Sequence, residues 1–250
     1  MKFNRYQAFG AHLSGSAIVA LISAALVFLV WYPAPLPAAT GVTGIFLILL
    51  GVDVVLGPCI TLIVFNPAKK ELKRDLAIVL LLQVAALLYG LNAVFVARPV
   101  YVVYNAGRFD LVYANDLPDE KLQRVSDGRF KTLPLFGPQT IAARRPSDAK
   151  TRSELLLNSL AGGDDLPQLP QHYVPYADEK AEAVKYLHTI DDLRRLNAAD
   201  IGRVDSLAKR YAEREGGIAY LPLRGKVRDL AVIVGKESAA VLEIADLSPW

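Results

Sequence analysis

Charged residues are missing from three long stretches of the first 97 positions and evenly scattered through the rest. Positions 6–52 carry no Asp, Glu, Lys or Arg, 15 more uncharged positions follow Asp53, and residues 76–97 add another 22. A hydrocarbon core about 30 Å thick takes ~20 apolar residues as helix, because main-chain groups left unpaired in lipid are costly. The pattern predicts three membrane-spanning helices, over about 13–32, 41–65 and 76–97. Trp31 and Tyr32 close the first as an interfacial aromatic pair, and Pro33, Pro35 and Pro37 stop it. A cleaved signal peptide is the rival reading of that stretch. It is longer than a signal's apolar core, however, and no clean Ala-x-Ala site follows.

From Arg98 the pattern changes to short runs. Apolar β-rich segments at 99–104 and 108–114 flank Asn105-Ala106-Gly107 and predict a hairpin. A short helix is expected from 116–120, a strand at 139–145, and a helix at 147–160 with Ser147 as cap and Gly162-Gly163 as stop. The Pro-rich stretch 166–176 reads as a connector. Helical spacing follows at 177–187 and 203–215 with a shorter turn at 190–196, then strands at 218–223, 230–234 and 239–245. The expected architecture is three transmembrane α-helices (1–97) followed by an α+β domain (98–250) with a small antiparallel sheet.

Charge adds direction. The net charge is +3, and it lies wholly in residues 1–97, with six basic residues against three acids; residues 98–250 hold 22 of each sign. Lys2 and Arg5 precede the first span, the loop before the second has no cation, and Lys69, Lys70, Lys73 and Arg74 lie between the second and third. The positive-inside rule then puts the N-terminus in the cytoplasm and residues 98–250 outside, which in a bacterial inner membrane means the periplasm. With no basic excess on the outer domain, nucleic acid is not an expected partner. The single cysteine, Cys59, excludes an internal disulfide and reads as a buried, inert small hydrophobe.

The candidate chemistry is inside the membrane. Asp53 falls near the middle of the second span, where an ionised carboxylate is costly, and Pro58 nearby is expected to free the carbonyl of Val54 and kink the helix. Gln83 on the third span could hydrogen-bond a neutral Asp53. Such a bond either fixes helix packing or recognises a polar group on another membrane helix. Ser16, Ala20 and Ala24 form a small-residue stripe, suited to internal packing or to a docking helix. The outer domain holds His172 and His188 but no cysteine, phosphate loop or nucleophile elbow. The Asp164-Asp165 and Asp191-Asp192 pairs read as solvated. No catalytic residue, metal site or cofactor is expected.

The order of spans and outer domain, with Lys2-Phe-Asn-Arg-Tyr-Gln-Ala-Phe9, resembles the TfpX/TfpZ group of type IV pilin accessory proteins. Gly51-Val-Asp-Val-Val-Leu-Gly-Pro58, Thr61-Leu-Ile-Val-Phe65 with Lys69-Lys70, Arg98-Pro-Val-Tyr101 and Arg108-Phe109 extend the likeness over the whole chain. Where that group's pattern has Asp before Arg-Phe, this chain has Gly107, with Asp110 nearby. The resemblance implies an inner-membrane protein that acts on a type IV pilin, its partners being the major pilin and the inner-membrane pilus machinery. A membrane-anchored regulator or assembly subunit of another envelope complex is the alternative.

Overall fold

The computed structural model describes residues 4–212 and 216–250, so Lys2 and the end of the helix expected at 203–215 lie outside the described residues. Contacts divide the chain into two compact units, residues 1–37 with 41–97, and residues 98–250 with 38–40.

In the first unit, helix α1 (Arg5–Ala25) starts with a capping box in which Asn4 Oδ1 accepts from Gln7 N at 2.9 Å and Gln7 Oε1 accepts from Asn4 N at 3.0 Å. It widens into a π-helical turn over Leu26–Trp31, and after α2 (Leu36–Thr40) the second span runs as α3 (Val42–Leu50), a π segment (Gly51–Leu56) and α4 (Gly57–Val64). The third is α5 (Leu72–Val96). The segments Arg5–Trp31, Val42–Val64 and Leu72–Val96 are each long and apolar enough to cross a membrane. α5 begins four residues before the expected start, so Lys73 and Arg74 sit on its first turn rather than in the loop. The three segments pack around Val27, Tyr32, Val42, Phe46 and Val94, where Tyr32 Oη donates to Val94 O at 2.8 Å.

The second unit is built on one sheet. β1 (Pro99–Asn105) and β2 (Arg108–Tyr113) form the expected hairpin, turning through Ala106 and Gly107 with φ of 50° and 92°. Two positive φ values suit a two-residue hairpin turn, and Gly107 adopts its own without a Cβ to strain it. After α6 (Asp119–Leu122) come β3 (Gln139–Ala143), α7 (Ala149–Leu160), β4 (Tyr173–Pro175), α8 (Lys180–Ala183), β5 (His188–Thr189), α9 (Ile190–Leu196) and α10 (Ile201–Arg210). β6 (Ile218–Arg224), β7 (Leu230–Gly235) and β8 (Val241–Ala245) complete it. The strand order is β4-β3-β1-β2-β6-β7-β8, with β5 also on β6.

This sheet is neither small nor antiparallel throughout. It has eight strands, and β1 pairs with β3 and β2 with β6 in parallel. β2 ends and β3 begins at the same end of the sheet, so the connection from Tyr113 to Gln139 has only to pass the end of β1 for β3 to lie parallel on its other side. β1 and β7 are buried at every position, the mark of strands covered on both faces. One core gathers Tyr101, Val103, Val112, Leu117, Ile141 and Tyr173; another sets α9 and α10 on Tyr220, Ala231 and Ile233. Asn197, at the end of α9, donates to Leu193 O and Ser248 O and accepts from Ser248 N.

Smaller expectations are also corrected, among them the burial of Cys59, which is exposed on α4. Asp148, not Ser147, caps α7, accepting from Thr151 N at 2.7 Å. The connector 166–176 contains two 3-10 turns and β4. Ile233 is fully buried on β7, so Ile233→Ala should cost about 2–5 kcal/mol, while truncating the exposed Leu157 should change stability by about 0.5 kcal/mol or less. Denaturant midpoints of the full chain would check the contrast.

Candidate functional site

The site grows from a missing donor. In the π segment hydrogen bonds reach five residues back, and Gly57 N donates to Val52 O. Pro58 comes next in that register, opposite Asp53 O, but it has no N–H to give. Gln83 Nε2, from α5, supplies the bond instead at 3.1 Å. The carbonyl served in place of the proline is thus that of Asp53, and Gln83 meets the main chain of Asp53 rather than its carboxyl group.

Gly57 makes this contact possible. A Cβ there would stand 1.7 Å from Gln83 Nε2, inside any van der Waals limit. The arrangement leaves acceptors over. Asp53 is only 6% exposed, and neither of its carboxyl oxygens, nor Gln83 Oε1, has a hydrogen-bond partner among the described residues. Asp53 and Gln83 both line a cleft of about 260 Å³ whose other walls include His12, Gly15 and Ser16 of α1 and apolar residues of α5. His12 Nδ1 and Thr61 Oγ1 share a 2.6 Å hydrogen bond. The cleft is therefore a largely apolar recess with Asp53 and Gln83 in its wall, and a donor that reached their buried, unpaired oxygens would relieve them.

The small-residue stripe divides. Ser16 opens onto the cleft, Ala24 packs against the Val27 and Phe46 cluster, and Ala20 between them is half-buried. Sequence reasoning missed His12 and Thr61. A histidine in an otherwise uncharged run was the available signal for the first. Among the flanking cations, Arg5, Lys70 and Lys73 are exposed, Lys69 is ion-paired with Asp75, and Arg74 with Glu71.

In the second unit Asp110 is buried between two guanidiniums, with Arg224 Nε at 2.7 Å and Arg108 Nε at 3.1 Å, and both arginines also approach Asp165. Burial pushes the Asp110 carboxyl up from its usual value, against the pull of those cations. Asp164 pairs with Lys121 at 2.7 Å, Asp191 with Arg194 at 2.5 Å, and Asp192 with Arg195. All four acids of the two Asp pairs thus have charged partners. His172 is half-buried, which lowers its pKa, and His188 stacks on Tyr220; neither forms an ion pair with a carboxylate among the described residues.

A family profile described as "Fimbrial assembly protein FimB" matches residues 2–41. Over 218 residues the sequence is 35% identical to the fimbrial assembly protein of serogroup E1 of Dichelobacter nodosus, covering 86% of this chain and 84% of the relative. The chain belongs to the fimbrial assembly protein family. The serogroup I protein of the same organism is 35% identical over 173 residues, 68% of this chain and 66% of its own length. The protein of serogroups C1 and C2 is 36% identical over 118 residues, 46% and 90%. No solved structure matches. Within this member of the fimbrial assembly family, the profile match takes in the α1 wall of the cleft, His12 and Ser16, and stops short of Asp53 and Gln83.

The closeness of Gly57 and Gln83 can be measured. Gly57→Ala should destabilise the membrane-spanning unit by about 1–3 kcal/mol, and adding Gln83→Ala should recover part of the loss. A double-mutant cycle on thermal unfolding in detergent reads the coupling, and simple additivity would contradict the contact.

Proposed function

We propose that this protein acts in type IV pilus assembly as a non-enzymatic inner-membrane accessory protein that holds a pilin before or during its addition to the pilus. Family membership supports the assembly role, since the relatives are named as fimbrial assembly proteins. The finer reading, a chaperone for the pilin's membrane helix, rests on one observation. Asp53 is buried in a membrane-spanning helix, faces an open cleft and has no partner for either carboxyl oxygen. A carboxyl group is expensive to keep in such a place without a donor, so a partner helix with a polar group gives it a use.

The second unit offers a separate surface for the pilin's globular head. Helix α7 has no buried residue, and its Leu156, Leu157 and Leu160 are all more than 60% exposed. The cation pattern of Arg5 and Lys69 to Arg74 supports a cytoplasmic N-terminus and a periplasmic second unit.

Co-purification of pilin with tagged full-length protein tests the membrane contact. Asp53→Ala should lower recovered pilin several-fold at equal amounts of protein, with Asp53→Asn intermediate. Equal recovery from all three would remove Asp53 from the interface.

A further inference from the structure

Six strand ends meet at one end of the sheet in the second unit, and that end carries a concentration of exposed apolar side chains. β1 begins there, three residues beyond Val96, where α5 stops. β2 ends there, with Tyr113 opposite Pro99, and β3 begins there, with Gln139 beside Tyr101. β6 ends there, since Asp110 pairs with Arg224 on the way to Tyr113, and β7 starts back from Leu230. β8 ends there too, with Ala245 opposite Ala231. The segments 131–138, 225–229 and 246–250 therefore all emerge at this end. They carry Leu135, Phe136, Val227 and Trp250, which are 57%, 80%, 69% and 57% exposed.

Each of these segments is tied down close to a point where the chain enters or leaves the membrane-spanning helices. Arg98, two residues past Val96, donates from Nη2 to Pro134 O at 3.2 Å, directly before Leu135 and Phe136. Val227 N donates to Ala39 O at 2.9 Å, and Ala39 is three residues before Val42. Trp250 Nε1 donates to Asp229 Oδ2 at 2.7 Å, in the same loop as Val227. Consecutive Cα atoms are about 3.8 Å apart, so connectivity alone keeps Arg98 and Ala39 within roughly 12 Å of the helix ends. Two of these loops are thus hydrogen-bonded to residues that covalent connectivity keeps near the helix ends, and indole in particular favours a membrane interface. Lys226, in the same loop, holds its ammonium 3.8 Å from the Tyr113 ring centroid, at this end of the sheet.

We propose that the Leu135-Phe136 loop, with Val227 and Trp250 at the same end of the sheet, dips into the leaflet that the chain leaves at Arg98, so that phospholipid is the ligand of this surface. The inference rests on the three apolar helices crossing a membrane and is independent of what the protein assembles. Large apolar side chains on separate loops gain by leaving water together, and lipid at the interface takes them without a dedicated protein partner.

Site-directed nitroxide labelling of the full chain in liposomes containing no other protein tests it. With Cys59→Ala as background, Phe136→Cys and Val227→Cys should collide several-fold more with oxygen than with a water-soluble nickel chelate. Leu157→Cys on α7 should show the reverse. A label at Leu81→Cys, on the exposed side of α5, reports insertion separately, so failure of the membrane reading registers there and not at 136. If Leu81→Cys reads lipid while Phe136→Cys and Val227→Cys match Leu157→Cys, the proposal is overturned, and a protein partner becomes the better occupant. Trp31→Phe leaves Trp250 as the only indole, and brominated phosphatidylcholine should quench it by about half or more; unchanged emission would also overturn the proposal.

Discussion

Inside a hydrocarbon core every main-chain carbonyl has to find a donor, and Pro58 withholds one. The polar architecture of the membrane-spanning unit follows from that single shortage. The π segment at Gly51–Leu56 changes which carbonyl is left short, and Gln83 reaches across from α5 to supply it. Gly57 has to be small to let the amide in. Gln83 spends one amide N–H on the main chain, and neither carboxyl oxygen of Asp53 receives a hydrogen bond from it. The unpaired acid lines a cleft.

What the sequence made legible was local. The three apolar stretches, the hairpin around Gly107 and the helix at Ile190–Leu196 follow from periodicity and turn chemistry within a few residues of each other. The parallel pairings of β1 with β3 and β2 with β6 were not legible, because an apolar run buried on both faces carries no record of which distant strand lies beside it. At the site, Asp53, Pro58 and Gln83 stood out as polar or helix-breaking residues in an apolar run. Their actual connection did not, since it depends on a change of helical register that composition does not reveal. His12 was legible in principle, being ionisable within an uncharged stretch, but its partner Thr61 lies 49 positions away. The partners of Asp164 and Asp165 were not legible because folding brings them from far along the chain, Lys121 to the first and Arg108 and Arg224 to the second, whereas Asp191 and Asp192 pair with Arg194 and Arg195 one helical turn away.

The two units place different chemistry in different media. In lipid a few unsatisfied oxygens carry a large energetic weight, so one carboxyl group can distinguish partners. In the second unit many charges are ion-paired and the two signs balance, and large apolar side chains stand exposed on α7 and at the end of the sheet where β1 begins.

The strand order also has a consequence for how the domain is made. The hairpin β1-β2 is the first part to follow the last membrane helix, and it occupies the middle of the sheet. β3 then adds to one flank and β4 beyond it, while β6, β7 and β8 extend the other flank in turn. No strand has to be wedged between two that have already paired. As the polypeptide emerges in order from Arg98 onward, the sheet can widen in the order of synthesis, with each new strand meeting an edge that is already waiting.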